Sequence, residues 1–262
     1  MSIVTYTPPC VGPSDFFVLG ASGFVSDDIS DALEFEAEER RCSVPPHAEP
    51  PEPEPEQETE SEPQRMPSLD LRVFGDRPVV VFDTETTGIS RPCVIQLAFV
   101  LIDGGKIVNE YNKLLRLPCG VTIDKQAQAV HGISSRDLTQ HGVDASHELR
   151  NFHELCTHVF SRGGRVVAHN AQFDARALTF TSSIHGGTPL IWNATDCFCT
   201  MKESKSRSTL KTKRGHQKAF KNEELYTHFF FQPPRWAKLH DALDDVRVTL
   251  CSYQRGVFLK WF

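Results

Sequence analysis

The chain has 262 residues, 39% hydrophobic and 10% aromatic, which is enough for one sizeable core or one domain plus a tail. No apolar run approaches the ~18 residues of a membrane span, so a helical membrane protein is excluded. The net charge of −6 conceals a division: residues 1–70 hold 16 acids and 3 bases, whereas residues 71–262 hold 18 acids and 25 bases. An acidic tail is thus joined to a basic body, and a basic body directs attention to polyanionic partners.

The start MSIVTYTPPC lacks a basic stretch followed by an apolar run, so we expect an intracellular protein, cytoplasmic or nuclear. The eight cysteines, at 10, 42, 93, 119, 156, 197, 199 and 251, then read as reduced thiols rather than a disulfide framework. Cys197 and Cys199 form a C-x-C pair with no second pair to complete a zinc site.

In chain order, SDDISDALEFEAEERR (Ser26 to Arg41) has the composition of a short helix. His47 to Gln64 alternates Pro with Glu. Missing donors and mutual repulsion leave that stretch too little apolar surface to offset its ordering entropy. We therefore expect residues 1–70 to be a disordered acidic tail and linker. It would dock a protein partner or shield the basic body.

Residues 71–262 read as a single α/β domain. PVVVFD (78–83) is a buried strand. CVIQLAFVLID (93–103) and KIVNEYNKLLRL (106–117) form a hairpin turning at Gly104-Gly105. TIDKQAQAVHGI is helical up to Gly132. Residues 146–162 form an amphipathic helix with Leu149, Phe152, Leu155, Cys156, Val159 and Phe160 on one face. RVVAHN (165–170) is a strand and AQFDARALTFTSS the helix after it. PLIWNATDCF (189–198) is strand-like, KNEELYTHFFF is helical, and a long helix closes the chain from Asp241. Antiparallel strands followed by alternating helices and strands imply a mixed sheet flanked by helices.

Three clusters carry the chemistry. In DTETTG, Asp83 and Glu85 are two residues apart, so extended backbone aims both to one face at the strand's end, and Gly88 lets the chain turn away. Hard cations such as Mg²⁺ take oxygen ligands of this kind; a water-solvated turn is the plainer reading of the same residues. In HNAQFD, Asp174 lies in the first turns of a helix, where the dipole favours an acid. In HDALDD, His240 precedes the last helix. Helical spacing would pair it with Asp244, a rule that lapses if His240 lies in the preceding loop.

The ordered set DTETTG, HNAQFD, HDALDD resembles the three motifs of the DEDDh (DnaQ-like) 3′–5′ exonucleases, the group of bacterial proofreading exonuclease subunits, ribonuclease T and oligoribonuclease. The resemblance covers about residues 76–255, and AVHGIS (129–134), CTMK (199–202) and ELYTHFF (224–230) add to it. It implies a ribonuclease-H-like fold. It also implies that Asp83, Glu85, Asp174 and Asp245 hold two Mg²⁺ ions, with Mn²⁺ able to substitute, while His240, five residues before Asp245, acts as general base. Cleavage would proceed from single-stranded 3′ ends of nucleic acid, DNA slightly before RNA, releasing nucleoside 5′-monophosphates. Thr86, Thr87, Asn170 and His240 are the substrate-contact candidates. Turn chemistry is an equally good account of the two threonines, and Phe173 and His131 read as packing residues. The alternative is a catalytically silent nucleic-acid-binding or replication-accessory module of the same fold.

Between the second and third motifs, residues 201–221 hold eight bases and one acid. Poor apolar periodicity predicts a flexible loop, able to guide a nucleic-acid backbone by charge.

Overall fold

The computed structural model describes residues 65–185 and 189–262. The expected tail helix and the Pro/Glu linker lie outside the described residues. The elements are a 3-10 turn at Leu71–Phe74, then β1 (Val79–Thr86), β2 (Val94–Asp103), β3 (Lys106–Leu114), α1 (Lys125–His131), α2 (Ser135–His141), α3 (Ala145–Ser161), β4 (Arg165–Ala168), α4 (Ala171–Ile184), β5 (Cys197–Cys199), α5 (Thr200–Lys205), α6 (Asn222–Phe230) and α7 (Ala242–Phe258). Met66 and Leu69 pack against the domain, and Asp70 caps the 3-10 turn.

The sheet order is β3-β2-β1-β4-β5. β1, β2 and β3 are antiparallel, and β4 and β5 run parallel to β1. The apolar run VVVF at the start of β1 is continuous because both sheet faces are covered. Val80 and Phe82 join Phe99, Leu149, Phe152 and Leu178 on the side of α3 and α4. Val79 and Val81 join Val100, Val246, Leu250 and Tyr253 on the side of α7. Gly104 and Gly105 have φ of +55° and +71°, the positive values a two-residue hairpin turn demands.

Several elements depart from expectation. β1 does not end at Asp83 but runs on to Thr86, so both acids lie within the strand. β3 stops at Leu114, and Leu115 bridges to Val143 instead. β5 is only three residues long. The N–H groups of Leu190 and Trp192 donate to the hydroxyls of Ser182 and Thr179 on α4, at 2.7 and 3.0 Å, which draws that segment away from the sheet. α2 was not foreseen, although its capping box, Ser134 with Asp137, is legible in the sequence. Phe160 is 39% exposed in the last turn of α3, off the buried face. Among the described residues Phe173 joins no core cluster; it is half-buried, with the Arg176 guanidinium 5.6 Å from its ring centre. The basic stretch opens as helix α5 and continues as a hairpin rather than an irregular loop.

Where β4 begins, Arg165 N–H bonds the Pro78 carbonyl at 3.0 Å. A Cβ on the preceding Gly164 would overlap that same carbonyl oxygen and crowd Val159. Gly164→Ala should therefore destabilise the domain by about 1–3 kcal/mol, the range for overpacking. Urea unfolding measures this, and an unchanged midpoint would refute the close packing of β1 on β4.

Candidate active site

The sheet opens where the acids sit. β1 pairs with β4 only over Val79–Val81, while its partnership with β2 continues to Thr86. Past Val81 the ladder with β4 stops, and the backbone and hydroxyl of Thr84 bond Asp174 instead; the crevice lies there, beyond the C-terminal end of β4. Asp83 and Glu85 share the strand face of Val79 and Val81, the face covered by α7. Thr84 points the other way, and its hydroxyl donates to Asp174 Oδ1 at 2.8 Å. Asp174 stands in the first turn of α4 and is 2% exposed. Asn170 before that helix takes a left-handed conformation (φ +67°), which turns the chain sharply from β4 into α4 and brings Asp174 back against β1.

The third cluster enters from α7. His240 is also left-handed, with φ of +65°, and lies in the loop ahead of the helix. Its backbone N–H donates to Asp245 Oδ2 at 2.8 Å, so the loop geometry pairs it with Asp245. Asp244 is occupied elsewhere: it accepts the Lys238 N–H at 2.8 Å and an Arg247 N–H at 3.0 Å. Asn222, at the start of α6, donates its amide to the Asp245 carbonyl at 3.1 Å. Ligand atoms of Glu85, His240 and Asp245 all lie within 4.8 Å of one another.

The electrostatics follow from this proximity. Burial pushes the Asp83 carboxyl well above the usual carboxylate range, and the negative charges of Asp174, Asp245, Glu85 and Asp241 push it further. Burial raises Asp174 to about 7, against the hydrogen bond from Thr84. Burial also raises Asp245 to about 6, against the N–H of His240. Acids from three distant segments thus repel one another in one crevice. An oxygen-rich, mutually repelling donor set fits hard divalent cations, which supply the missing positive charge.

Thr86 and Thr87 are buried beside these acids, but their hydroxyls serve the turn. Thr86 donates to the Gly88 carbonyl at 3.0 Å, and Thr87 accepts the Cys93 N–H at 3.0 Å. Their substrate role would have to involve backbone groups or a rearranged hydroxyl. His131 is buried and its Nδ1 accepts the Ile133 N–H at 2.9 Å.

Besides Thr84 and Asn222, three supporting groups were missed. Asp241 caps α7, accepting the Leu243 N–H at 3.2 Å. Gln96, opposite Glu85 on β2, donates to Asp241 at 3.3 Å and to Asn112 at 2.9 Å, and accepts the Ala242 N–H at 3.3 Å. It thereby latches the start of α7 to the sheet. His169 links β4 to α5 and to the segment before α6. Only Asp241, as a helix-start acid, carried a local signal; Gln96 and His169 act through residues far away in sequence.

Comparisons with known proteins bear on the family and the fold. A protein of Thermotoga maritima named DNA polymerase III PolC-type is 32% identical over 193 residues, 72% of this chain and 12% of that protein. A DNA polymerase III subunit epsilon-like protein of Rhodobacter capsulatus is 36% identical over 104 residues, 38% of this chain and 14% of that one. The chain therefore spans only about an eighth of these relatives. Escherichia coli exonuclease I, solved with a dT13 oligonucleotide, has the same fold, with a TM-score of 0.54 at 15% identity over 70% of this chain and 42% of that one. A 3′-exonuclease solved for its recognition of a histone mRNA stem-loop superposes with a TM-score of 0.53 at 11% identity, over 70% and 64%. The RNase T family model, described as exonuclease, matches residues 80–253. Taken with the mixed, ribonuclease-H-like sheet and the crevice of acids, that match places the chain in the RNase T family of DnaQ-like exonucleases.

Proposed function

We propose that this protein is a divalent-metal-dependent 3′–5′ exonuclease that hydrolyses phosphodiester bonds at single-stranded nucleic-acid 3′ ends and releases nucleoside 5′-monophosphates. The observation that carries the reading is the meeting of Asp83, Glu85, Asp174, His240 and Asp245 in one crevice at the open end of β1. In this reading the four carboxylates hold two Mg²⁺ ions, or Mn²⁺ in their place. When bound, such ions supply charge neutralisation and Lewis acidity for an in-line displacement at phosphorus.

The chain's own residues do the rest. The left-handed backbone of His240 directs its N–H to Asp245, and a nitrogen of its exposed imidazole lies within 4.8 Å of carboxylate oxygens of Glu85 and Asp245. There it takes the proton of the attacking water. Thr84 fixes the rotamer of Asp174 and Asn222 restrains Asp245, so the acids are pre-positioned. We assign Asn170, with Thr86 and Thr87, to the terminal sugar and phosphate. The relatives named for DNA polymerases support DNA as the first substrate, with RNA second. The acidic tail would act as a docking arm or a shield for the basic domain. Removal of residues 1–64 should then tighten binding of an oligonucleotide at low salt; an unchanged affinity would remove the shielding role.

Asp83→Asn and Asp174→Asn should each lower kcat on a 5′-labelled oligonucleotide by at least about 10³-fold, while His240→Ala should lower it by about 10²-fold or more, the range for loss of a general base. The product ladder should shorten from the 3′ end. Near-parental turnover by either Asn variant would contradict the assignment, whereas oligonucleotide binding without hydrolysis by the parent in Mg²⁺ and Mn²⁺ would favour the silent module. Running DNA and RNA oligomers in parallel tests the substrate order.

Stability should depend on pH in a definite direction. Asp174 and Asp245 have folded-state values near 7 and 6, above the ordinary 3.8. A raised carboxyl favours the folded state at low pH, and that contribution is lost as pH rises through the folded-state value. In chelator, the Tm contribution of these groups should therefore fall between about pH 4 and pH 7 and level off above that, and Asp174→Asn should make the decline smaller. Mg²⁺ should raise Tm more at pH 8 than at pH 5. A parental profile that the substitution leaves unaltered, with no response to Mg²⁺, would overturn the repulsion argument.

A further inference from the structure

The basic segment between the second and third motifs is built as a hairpin rooted in the crevice. After α5, Lys218 N–H bonds the Leu210 carbonyl at 2.9 Å, Thr212 N–H bonds the His216 carbonyl at 2.8 Å, and Lys211 bridges to Gln217. Gly215, with φ of +82°, closes the turn. The Gln217 amide donates to the Ser208 carbonyl at 2.8 Å and fastens the two arms.

Both ends of the segment hang on one residue of the second motif. His169 Nε2 lies 3.0 Å from the Phe220 carbonyl, and Nδ1 lies 2.9 Å from the Thr200 hydroxyl. A carbonyl can only accept, so Nε2 carries the proton and Nδ1 accepts from Thr200. Burial pushes this imidazole down to about 4, so it stays neutral and the tautomer is fixed. His169 is five residues before Asp174, and two residues beyond Phe220 stands Asn222, which holds Asp245. The hairpin therefore springs from between two of the crevice's acids.

Basic residues stand both at its root and at its tip. Near the root, Lys218 pairs with Glu224 at 2.7 Å, and the Arg207 guanidinium sits 4.9 Å over the Trp261 ring. At the tip, Lys211, Lys213 and Arg214 are exposed. At about 3.3 Å per residue, the tip stands on the order of 10 Å beyond the root. We infer that this hairpin is a phosphate guide: Lys211, Lys213 and Arg214 hold the sugar-phosphate backbone of a single-stranded nucleic acid upstream of the bond being cleaved. The contact is to backbone charge, so it serves DNA and RNA alike without base preference. The inference rests on the exonuclease reading of the crevice and adds a second, separate contact to it.

The test uses the full chain carrying Lys211→Gln, Lys213→Gln and Arg214→Gln together, beside a charge-keeping variant, Lys211→Arg with Lys213→Arg. Fluorescence anisotropy with labelled 12-nucleotide DNA and RNA, in chelator, reads binding without cleavage. The triple variant should bind both about tenfold more weakly at 0.2 M salt, and its log–log salt slope should shrink by about 2, from roughly 0.7 per lost single-strand contact. The charge-keeping variant should match the parent. Equal affinity and slope in parent and triple variant, or equal loss in both variants, would overturn the guide. A loss confined to RNA or to DNA would overturn backbone-only recognition. Hydrolysis of a nitrophenyl ester of thymidine 5′-monophosphate by the parent reports on the crevice alone, so its failure counts against the exonuclease reading and leaves the anisotropy result to decide the hairpin.

Discussion

Carboxylates drawn from β1, α4 and α7 are held close enough to repel one another, and the arrangement of the rest of the domain follows from that constraint. Left to itself, such a cluster raises its own pKa values and opposes folding. Asp83 shows the effect, since its carboxyl is raised by burial and by charge from Asp174, Asp245, Glu85 and Asp241. A fold that keeps this arrangement must fix each acid by other bonds, and a divalent cation is the natural way to discharge the repulsion.

The fixing bonds are local and specific. Thr84 holds Asp174 across the opening of the sheet. Two left-handed residues, Asn170 and His240, make the sharp turns that bring α4 and α7 to β1. Such backbone is uncommon outside glycine, and here it occurs beside motif acids in both places. Gln96 ties the start of α7 to two strands, while His169 ties β4 to the basic hairpin. Neither residue needs to touch a reacting atom to matter; each sets where the acids and the guiding charges stand.

Much of this was legible in the sequence, because the strongest signals were local ones. The apolar run of β1, the Gly104-Gly105 turn and the heptad-like face of α3 each depend on neighbours within a few residues. The motif acids were legible because their types and spacings form an ordered set, and because Asp83 and Glu85 must share a face in extended backbone. What escaped was set by distant partners. β1 outruns its expected end because β2 still pairs with it past Asp83. β5 falls short of expectation because α4 hydroxyls capture the N–H groups of Leu190 and Trp192. The choice between Asp244 and Asp245 could not be made from helical spacing, since His240 stands outside the helix and Asp244 is engaged by Lys238 and Arg247. The basic stretch gained its hairpin form from anchors at His169 and Gln217.

The central claim is that these acids jointly grip a pair of neighbouring divalent ions. Electron paramagnetic resonance of the protein titrated with Mn²⁺ tests it most directly. The account predicts two ions per chain, with the exchange-broadened spectrum of a close pair, and loss of that spectrum in Asp83→Asn. Isolated Mn²⁺ signals that Asp83→Asn leaves unaltered would contradict it.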